Sequence, residues 1–186
     1  PSAASSVNIQ TFAWEADGYK RHSRDRAVAA RNASAWSRKT QRRLSADQRA
    51  SAEEQQQVRL CNEYRLMFGS PALAWNVSLQ QAAGWHSDYM QLTGDFGHQE
   101  QGRAGRHSIS ERGRLAGYSE EVTENCGQSG SSPEGAHLGW TQSSEHHRNL
   151  LRAEFTELGS ANSGSYWTQN FGNDKAFDNE LESWQD

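Results

Sequence analysis

"SAEEQQQVRLCNEYRLMFGSPALAWNVSLQQAAGWHSDYMQLTGDFGH", residues 51–98, carries the signals of two helices and the turn between them. It opens on a capping box, Ser51 to Glu54, in which each side chain answers a backbone N–H that the first helical turn leaves free. Gly69 and Pro71 mark where that helix stops. Val58, Cys61, Tyr64 and Met67, with Leu60 and Phe68 beside them, recur at helical spacing and predict a buried stripe. A second helix is expected from about Ser78 to Thr93, where Leu79, Ala82, Ala83, His86 and Met90 repeat at intervals of three and four and Gly94 ends the run. His86 sits on that apolar face and is expected as a hydrogen-bonded core histidine.

Upstream, the chain changes character. Residues 1–50 hold ten Lys/Arg against four Asp/Glu, whereas the rest holds nine against nineteen. A basic segment can meet nucleic acid, an anionic membrane or an acidic polymer, or it can dock on the acidic remainder of its own chain. Docking or plain solvation is the expectation, and a nucleic-acid partner is not expected. Fifteen of the sixteen glycines fall between residues 69 and 172, and 19–68 has neither Gly nor Pro, which favours helix over flexible linker for the basic arm. Trp14 and Trp36 lie in that arm and read as anchors, because two exposed indoles on a charged segment would be costly.

Downstream, residues 94–131 form a Gly- and Ser-rich stretch that reads as one long loop, a length uncommon in a compact domain unless the loop is functional. A third helix begins at "SSPEGAHLGW", with Ser132 as cap and Pro133 in the first turn. "FTELGSA", the turn "NSGS" and "YWTQNF" then read as a β-hairpin, so strands are expected late in the chain. Helices, glycine-rich loops and a terminal hairpin suggest a mixed α+β layered domain rather than a bundle. Residues 173–186, with five acids and one Lys, read as a loosely attached acidic tail.

The whole is 186 residues, a length for one core and extensions, and its 34% hydrophobic residues and mean hydropathy of −0.97 would suggest a poor core only if the polar residues were spread evenly, which they are not. No apolar run approaches the ~18 residues of a membrane span, so no transmembrane segment is expected. "PSAASS" at the start is the kind of sequence an export signal leaves behind on removal. Cys61 and Cys126 form no CxxC pattern and read either as one bridge or as two buried thiols.

Several motifs occur in order across residues 58–172: the run from Asn62 to "DFGH", then "R" and "GY", "EN", a Trp and Ser ahead of a His, "FTELGSA" and "YWTQNFG". Together they resemble the bacterial SCP-like branch of the CAP superfamily, which also holds the cysteine-rich secretory, antigen 5 and pathogenesis-related 1 proteins. The resemblance implies an α-β-α sandwich, usually exported, with a cleft where two histidines and one or two acids converge. It implies His98 of "DFGH" as the first cleft histidine, Glu124 of "TENCG" as the acid and His146 of "WTQSSEHHRNLL" as the second histidine. Ser143 falls where eukaryotic members often carry a second acid. Glu145, His147 and Cys126 depart from the family's Gly, Arg and Ile. The organisation expected is a basic, helical extension over 1–54, an SCP-like CAP domain over 55–172 and a tail over 173–186.

His146 and His147 cannot both enter one compact site, because neighbours on a helix diverge by about 100°. The resemblance selects His146 and leaves His147 as a solvated bystander. Two imidazoles, His98 and His146, with Glu124 and an open position would suit zinc. The same cleft is expected to serve an extracellular or cell-envelope binding module that takes a metal ion, a small apolar ligand, or an extracellular protein or cell-wall partner. The alternative is a zinc-assisted hydrolase or protease using His98, Glu124 and His146 as catalytic groups. No serine sits in a G-x-S-x-G elbow, so a covalent nucleophile has no support.

Overall fold

The computed structural model describes residues 16–173, with side chains from residue 23 onward. Trp14 and the acidic tail beyond residue 173 lie outside the described residues. In chain order the elements are α1 (Ala16–Ala35), α2 (Arg38–Gln41), α3 (Ala52–Met67), β1 (Ala74–Trp75), α4 (Val77–Thr93), α5 (Ile109–Leu115), β2 (Val122–Gln128), α6 (Pro133–Thr141), α7 (Ser144–Leu151), β3 (Glu157–Ser163) and β4 (Tyr166–Gly172). A 3-10 turn at Ala46–Gln48 links α2 to α3.

The helix signals act where the sequence puts them. Ser51 and Glu54 close the capping box of α3, and Ser132 caps α6 with Pro133 in its first turn. Asn76 caps α4 by accepting from Ser78 and Leu79 N–H at 2.8 and 3.1 Å, and Gly94, at φ +71°, ends it in the left-handed region. The α3 stripe is a correction: it runs Glu54, Gln57, Val58, Cys61 and Arg65, whereas Met67 and Phe68 are exposed. Met67 stands six residues past Cys61, on the far side of the helix, and Phe68 is the cap residue at the helix's outer end.

Four strands form one sheet in the order β1-β3-β4-β2, with β1 parallel to β3 and the other pairs antiparallel. Strands alternate faces, and the register divides the layers. On one face Leu158, Trp167 and Phe171 join Val58, Cys61, Trp140 and Leu150 in the main core, beneath α3, α6 and α7. On the other, Gly159, Ala161 and Thr168 lie under α4, where Ser87 donates to Ala161 O at 3.1 Å and to Thr168 Oγ1 at 2.9 Å. The architecture is an α+β sandwich of the α-β-α type, closed by the expected hairpin. Trp75, Trp140 and Trp167 are core residues.

The glycine-rich stretch 94–131 is not one loop. It contains α5, opened by a Ser108–Glu111 capping box, and β2, which pairs with β4 along its length. The strands are therefore not all late. β2 reads "VTENCGQ", a polar, glycine-bearing sequence with little β propensity of its own, held by seven cross-strand pairs with β4.

From residue 23 the basic arm lies on the domain. Asp25 accepts from Ala72 N at 2.9 Å, and Asn32 both donates to Leu73 O at 3.2 Å and accepts from Trp75 N at 2.8 Å. Val28 is buried, and Trp36 packs on the main core with the Arg59 guanidinium 5.5 Å over its ring. Among the described residues no helix is long and apolar enough to cross a membrane.

Candidate functional site

The candidate site residues gather around β2, an edge strand of the sheet. Glu124 pairs with Asn170 and Cys126 with Thr168, so both side chains point to the α4 face. The Glu124 carboxylate is buried and fully engaged. Its Oε2 accepts from Arg112 Nη2 at 2.8 Å, while Oε1 faces His98 Nδ1 at 3.0 Å, Cys126 Sγ at 3.3 Å and His86 Nε2 at 3.6 Å. Burial pushes this carboxyl up, but the His98 hydrogen bond and the positive charge of Arg112 outweigh it and hold Glu124 below the usual carboxylate range. The His98 ring is half exposed, and its bond to Glu124 raises its pKa against the opposing effect of its own partial burial.

Arg112, from α5, explains how a glycine-rich loop can present His98 reproducibly. Its guanidinium also donates to His98 O at 3.2 Å, Arg106 O at 3.3 Å and His107 O at 3.4 Å. Glu100 lies 3.8 Å from Arg112 Nε and 3.2 Å from Arg106 Nη2, and its N–H donates to His107 O at 2.9 Å. A buried cation is stable only when charge and hydrogen bonds surround it, and here those bonds tie both ends of the loop together. His86 is the core histidine expected from α4: its Nε2 donates to Gly97 O at 2.7 Å, and its Nδ1 faces Glu100 Oε1 at 3.3 Å.

The second histidine approaches from the opposite layer. Asn125, fully buried beside Glu124, donates to His146 O at 3.3 Å and accepts from Asn149 Nδ2 at 2.9 Å, pinning α7 to β2. His146 is half-buried, and its pKa is lowered first by burial and then by the charge of His98, with Glu145 acting the other way. Glu145 also raises His98, so its charge reaches both rings. Ser143 caps the start of α7, half exposed, without a side-chain cap bond.

His147 is not the solvated side chain expected. Its Nε2 meets Tyr64 Oη at 3.1 Å and its ring packs at 5.7 Å from that of Tyr64, so it fastens α7 to α3 and leaves the cleft to His146. Sequence reasoning missed Glu100, Arg106, Arg112 and Asn125. The Ser108–Glu111 box could have revealed α5 and, with it, an arginine on the helix's inner side.

Cys61 and Cys126 are free, buried thiols rather than a bridge. Burial pushes Cys61 up to about 12, and burial together with Glu124 pushes Cys126 well above the ordinary thiol value. Neither is a thiolate nucleophile at neutral pH. Among the described residues, His86, Glu124 and Cys126 have ligand-type atoms within 4.8 Å of one another. A separate groove of about 440 Å³ opens between α1 and α3, lined by Val28, Trp36 and Leu66 among others, and shares no residue with the cleft.

The family model described as the cysteine-rich secretory protein family, CAP, matches residues 58–171. The uncharacterized protein YkwD of Bacillus subtilis (strain 168) is 30% identical over 145 residues, 76% of this chain and 55% of YkwD. Among solved structures, an extracellular protein containing an SCP domain from Bacillus anthracis str. Ames superposes with a TM-score of 0.64 at 28% identity, over 70% of this chain and 44% of that one. An outer surface protein from Borrelia burgdorferi shares the fold, with a TM-score of 0.56 at 16% identity over 63% of this chain and 90% of its own. This chain thus spans about half the length of YkwD and of the B. anthracis protein. The matched motifs and the three layers built around them agree, and the chain belongs to the CAP family, in its bacterial SCP-like form.

Proposed function

We propose that this chain is an exported binding module whose cleft, formed by His98, Glu124 and His146 with Ser143 at its rim, holds a divalent metal ion or a ligand. The observation that carries the reading is the condition of Glu124. A carboxylate held ionised by Arg112 and His98 is a poor proton shuttle and a good fixed negative charge, which favours binding over general acid–base turnover. The raised thiol of Cys126 removes a covalent nucleophile from the same place.

Zinc is the expected ion, because imidazole and carboxylate donors with room for water suit it. The acidic cleft edge, with Glu145 beside the two histidines, would also suit a basic group on an extracellular protein or a cell-wall partner. A small apolar ligand has a better seat in the α1–α3 groove. Export is supported by the similarity to an extracellular B. anthracis protein and an outer surface protein of B. burgdorferi. The chain divides into an extension over 1–54, a CAP domain over 55–172 and a tail over 173–186, with residues 23–36 of the extension bracing the domain.

Calorimetric titration of the metal-free protein with zinc tests the reading. The expected result is saturable binding that the His98→Ala, His146→Ala double variant loses; equal binding by both proteins overturns it. A hydrolase remains the second reading, favoured by the half-open, proton-retaining ring of His98. Turnover of a peptide or ester library that vanishes in Glu124→Gln would establish it.

A further inference from the structure

Cys126 stands where the family resemblance leads one to expect Ile, and the substitution changes the chemistry of the cleft floor. Its Sγ lies 3.3 Å from Glu124 Oε1 and 3.6 Å from His98 Nδ1, and those two atoms are 3.0 Å apart. A tetrahedral zinc with bonds of ~2.0–2.3 Å to oxygen, nitrogen and sulfur holds its ligand atoms about 3.2–3.6 Å from one another. The triangle formed by these three side chains therefore has nearly the edge lengths that such an ion imposes.

His98, not His86, supplies the imidazole. The Gly97 carbonyl can only accept, so the 2.7 Å contact puts a hydrogen on His86 Nε2 and leaves that atom no lone pair for a metal; its Nδ1 is turned to Glu100. His98 presents Nδ1 to the triangle from a half-exposed ring, which gives an ion a path inward from solvent; the hydrogen that Nδ1 shares with Glu124 can shift to Nε2 of that ring, whereas both nitrogens of the buried His86 are held by Gly97 and Glu100. Arg112 occupies Oε2 of Glu124 and so limits the carboxylate to one donor atom, Oε1, as an outer partner does in established metal sites. Glu100, beside Arg112, offsets the guanidinium's charge near the ion.

We propose that Cys126 Sγ, His98 Nδ1 and Glu124 Oε1 form a three-ligand site for a thiophilic divalent first-row cation of the zinc and cobalt(II) class, with the fourth position open to the cleft. The inference rests on the reading of the cleft as a binding site and makes that site sulfur-bearing. On binding, the thiol releases its proton to the buffer as the sulfur–metal bond forms, the hydrogen on His98 Nδ1 passes to Nε2 of the neutral ring or, from the doubly protonated ring, to the buffer, and no change of oxidation state is involved. A thiolate ligand shifts preference away from magnesium and calcium, which take oxygen donors.

Titration of the reduced, metal-free protein with cobalt(II), followed by absorbance, distinguishes the possibilities. The expected result is a thiolate-to-cobalt charge-transfer band in the near ultraviolet, retained in Cys61→Ser, where Cys126 is the sole remaining thiol. In Cys126→Ile the band is absent and cobalt binds at least about tenfold more weakly, since loss of a direct ligand costs no less than loss of an outer one. Circular dichroism of metal-free Cys126→Ile checks its fold, and the Cys61→Ser result stands without it. Cobalt binding with no charge-transfer band overturns the sulfur ligand and leaves the cleft reading intact. No cobalt or zinc binding by the wild-type protein overturns both.

Discussion

Glu124 is a carboxylate that burial alone would neutralise, yet it is held ionised by Arg112 and His98. Its folded pKa is depressed, so its contribution to stability is present above the unfolded carboxyl value and is lost as pH falls through the folded one. His98 is the opposite case: its folded pKa is raised, so its contribution is complete below the unfolded imidazole value and is lost as pH rises through the folded one. Urea unfolding across pH is expected to give a plateau between these limits, falling on the acid side through Glu124 and on the near-neutral to alkaline side through His98. The His98→Gln variant should lose the second fall and shrink the first, because His98 is one of the two groups that hold Glu124 ionised. His98, Glu124 and His146 stand out as candidates in the sequence because each sits in a motif. Arg112 and Asn125 do not, because a buried charge and a buried amide are defined by partners distant in the chain. The N-x-S sequons at Asn32 and Asn76 illustrate the same limit: Asn32 spends both ends of its amide on Leu73 and Trp75, and Asn76 caps α4 and donates to Glu157.

Helices were read more accurately than strands because their ends carry local chemistry. The Ser51–Glu54 box, Gly94 and Ser132–Pro133 state where α3, α4 and α6 begin or end, and the structure uses each one. β1, of two residues, and β2 carry no comparable signal and exist through pairing with β3 and β4. Two layers approach closely at Gly159 of β3, where an added Cβ would lie 2.1 Å from Gln80 N and 2.2 Å from Leu79 C in the first turn of α4. That obstacle is helix backbone, which cannot rotate aside. Gly159→Ala is expected to cost at least about 3 kcal/mol by chemical denaturation, the upper part of the range for overpacking, and to push α4 off the sheet. A cost below about 1 kcal/mol would mean that α4 does not sit on β3 in this way.

At the scale of the whole molecule, the arm ahead of α3 is part of the frame that carries the site. The basic arm from residue 23 braces the segment 72–75, completing backbone hydrogen bonds through Asp25 and Asn32 and burying Val28. Leu73 and Trp75 lie under the main core, so the brace supports the strand from which α4 departs. Asn32→Ala leaves a buried carbonyl and a buried N–H to rearrange, and a loss of about 1–3 kcal/mol in urea unfolding is expected, with faster proteolysis within α1. The cleft depends on this frame from both sides, since α4 leads to His98 and β2 carries Glu124 toward α7 and His146. Convergence of these three groups on one edge strand is the claim from which the functional reading grows. NMR titration of the histidine ring protons in wild type and Glu124→Gln tests it most directly. The account predicts His98 titrating above the ordinary histidine value and His146 below it, with His98 dropping when Glu124 loses its charge. A His98 that titrates at the ordinary value and does not respond to Glu124→Gln would contradict it.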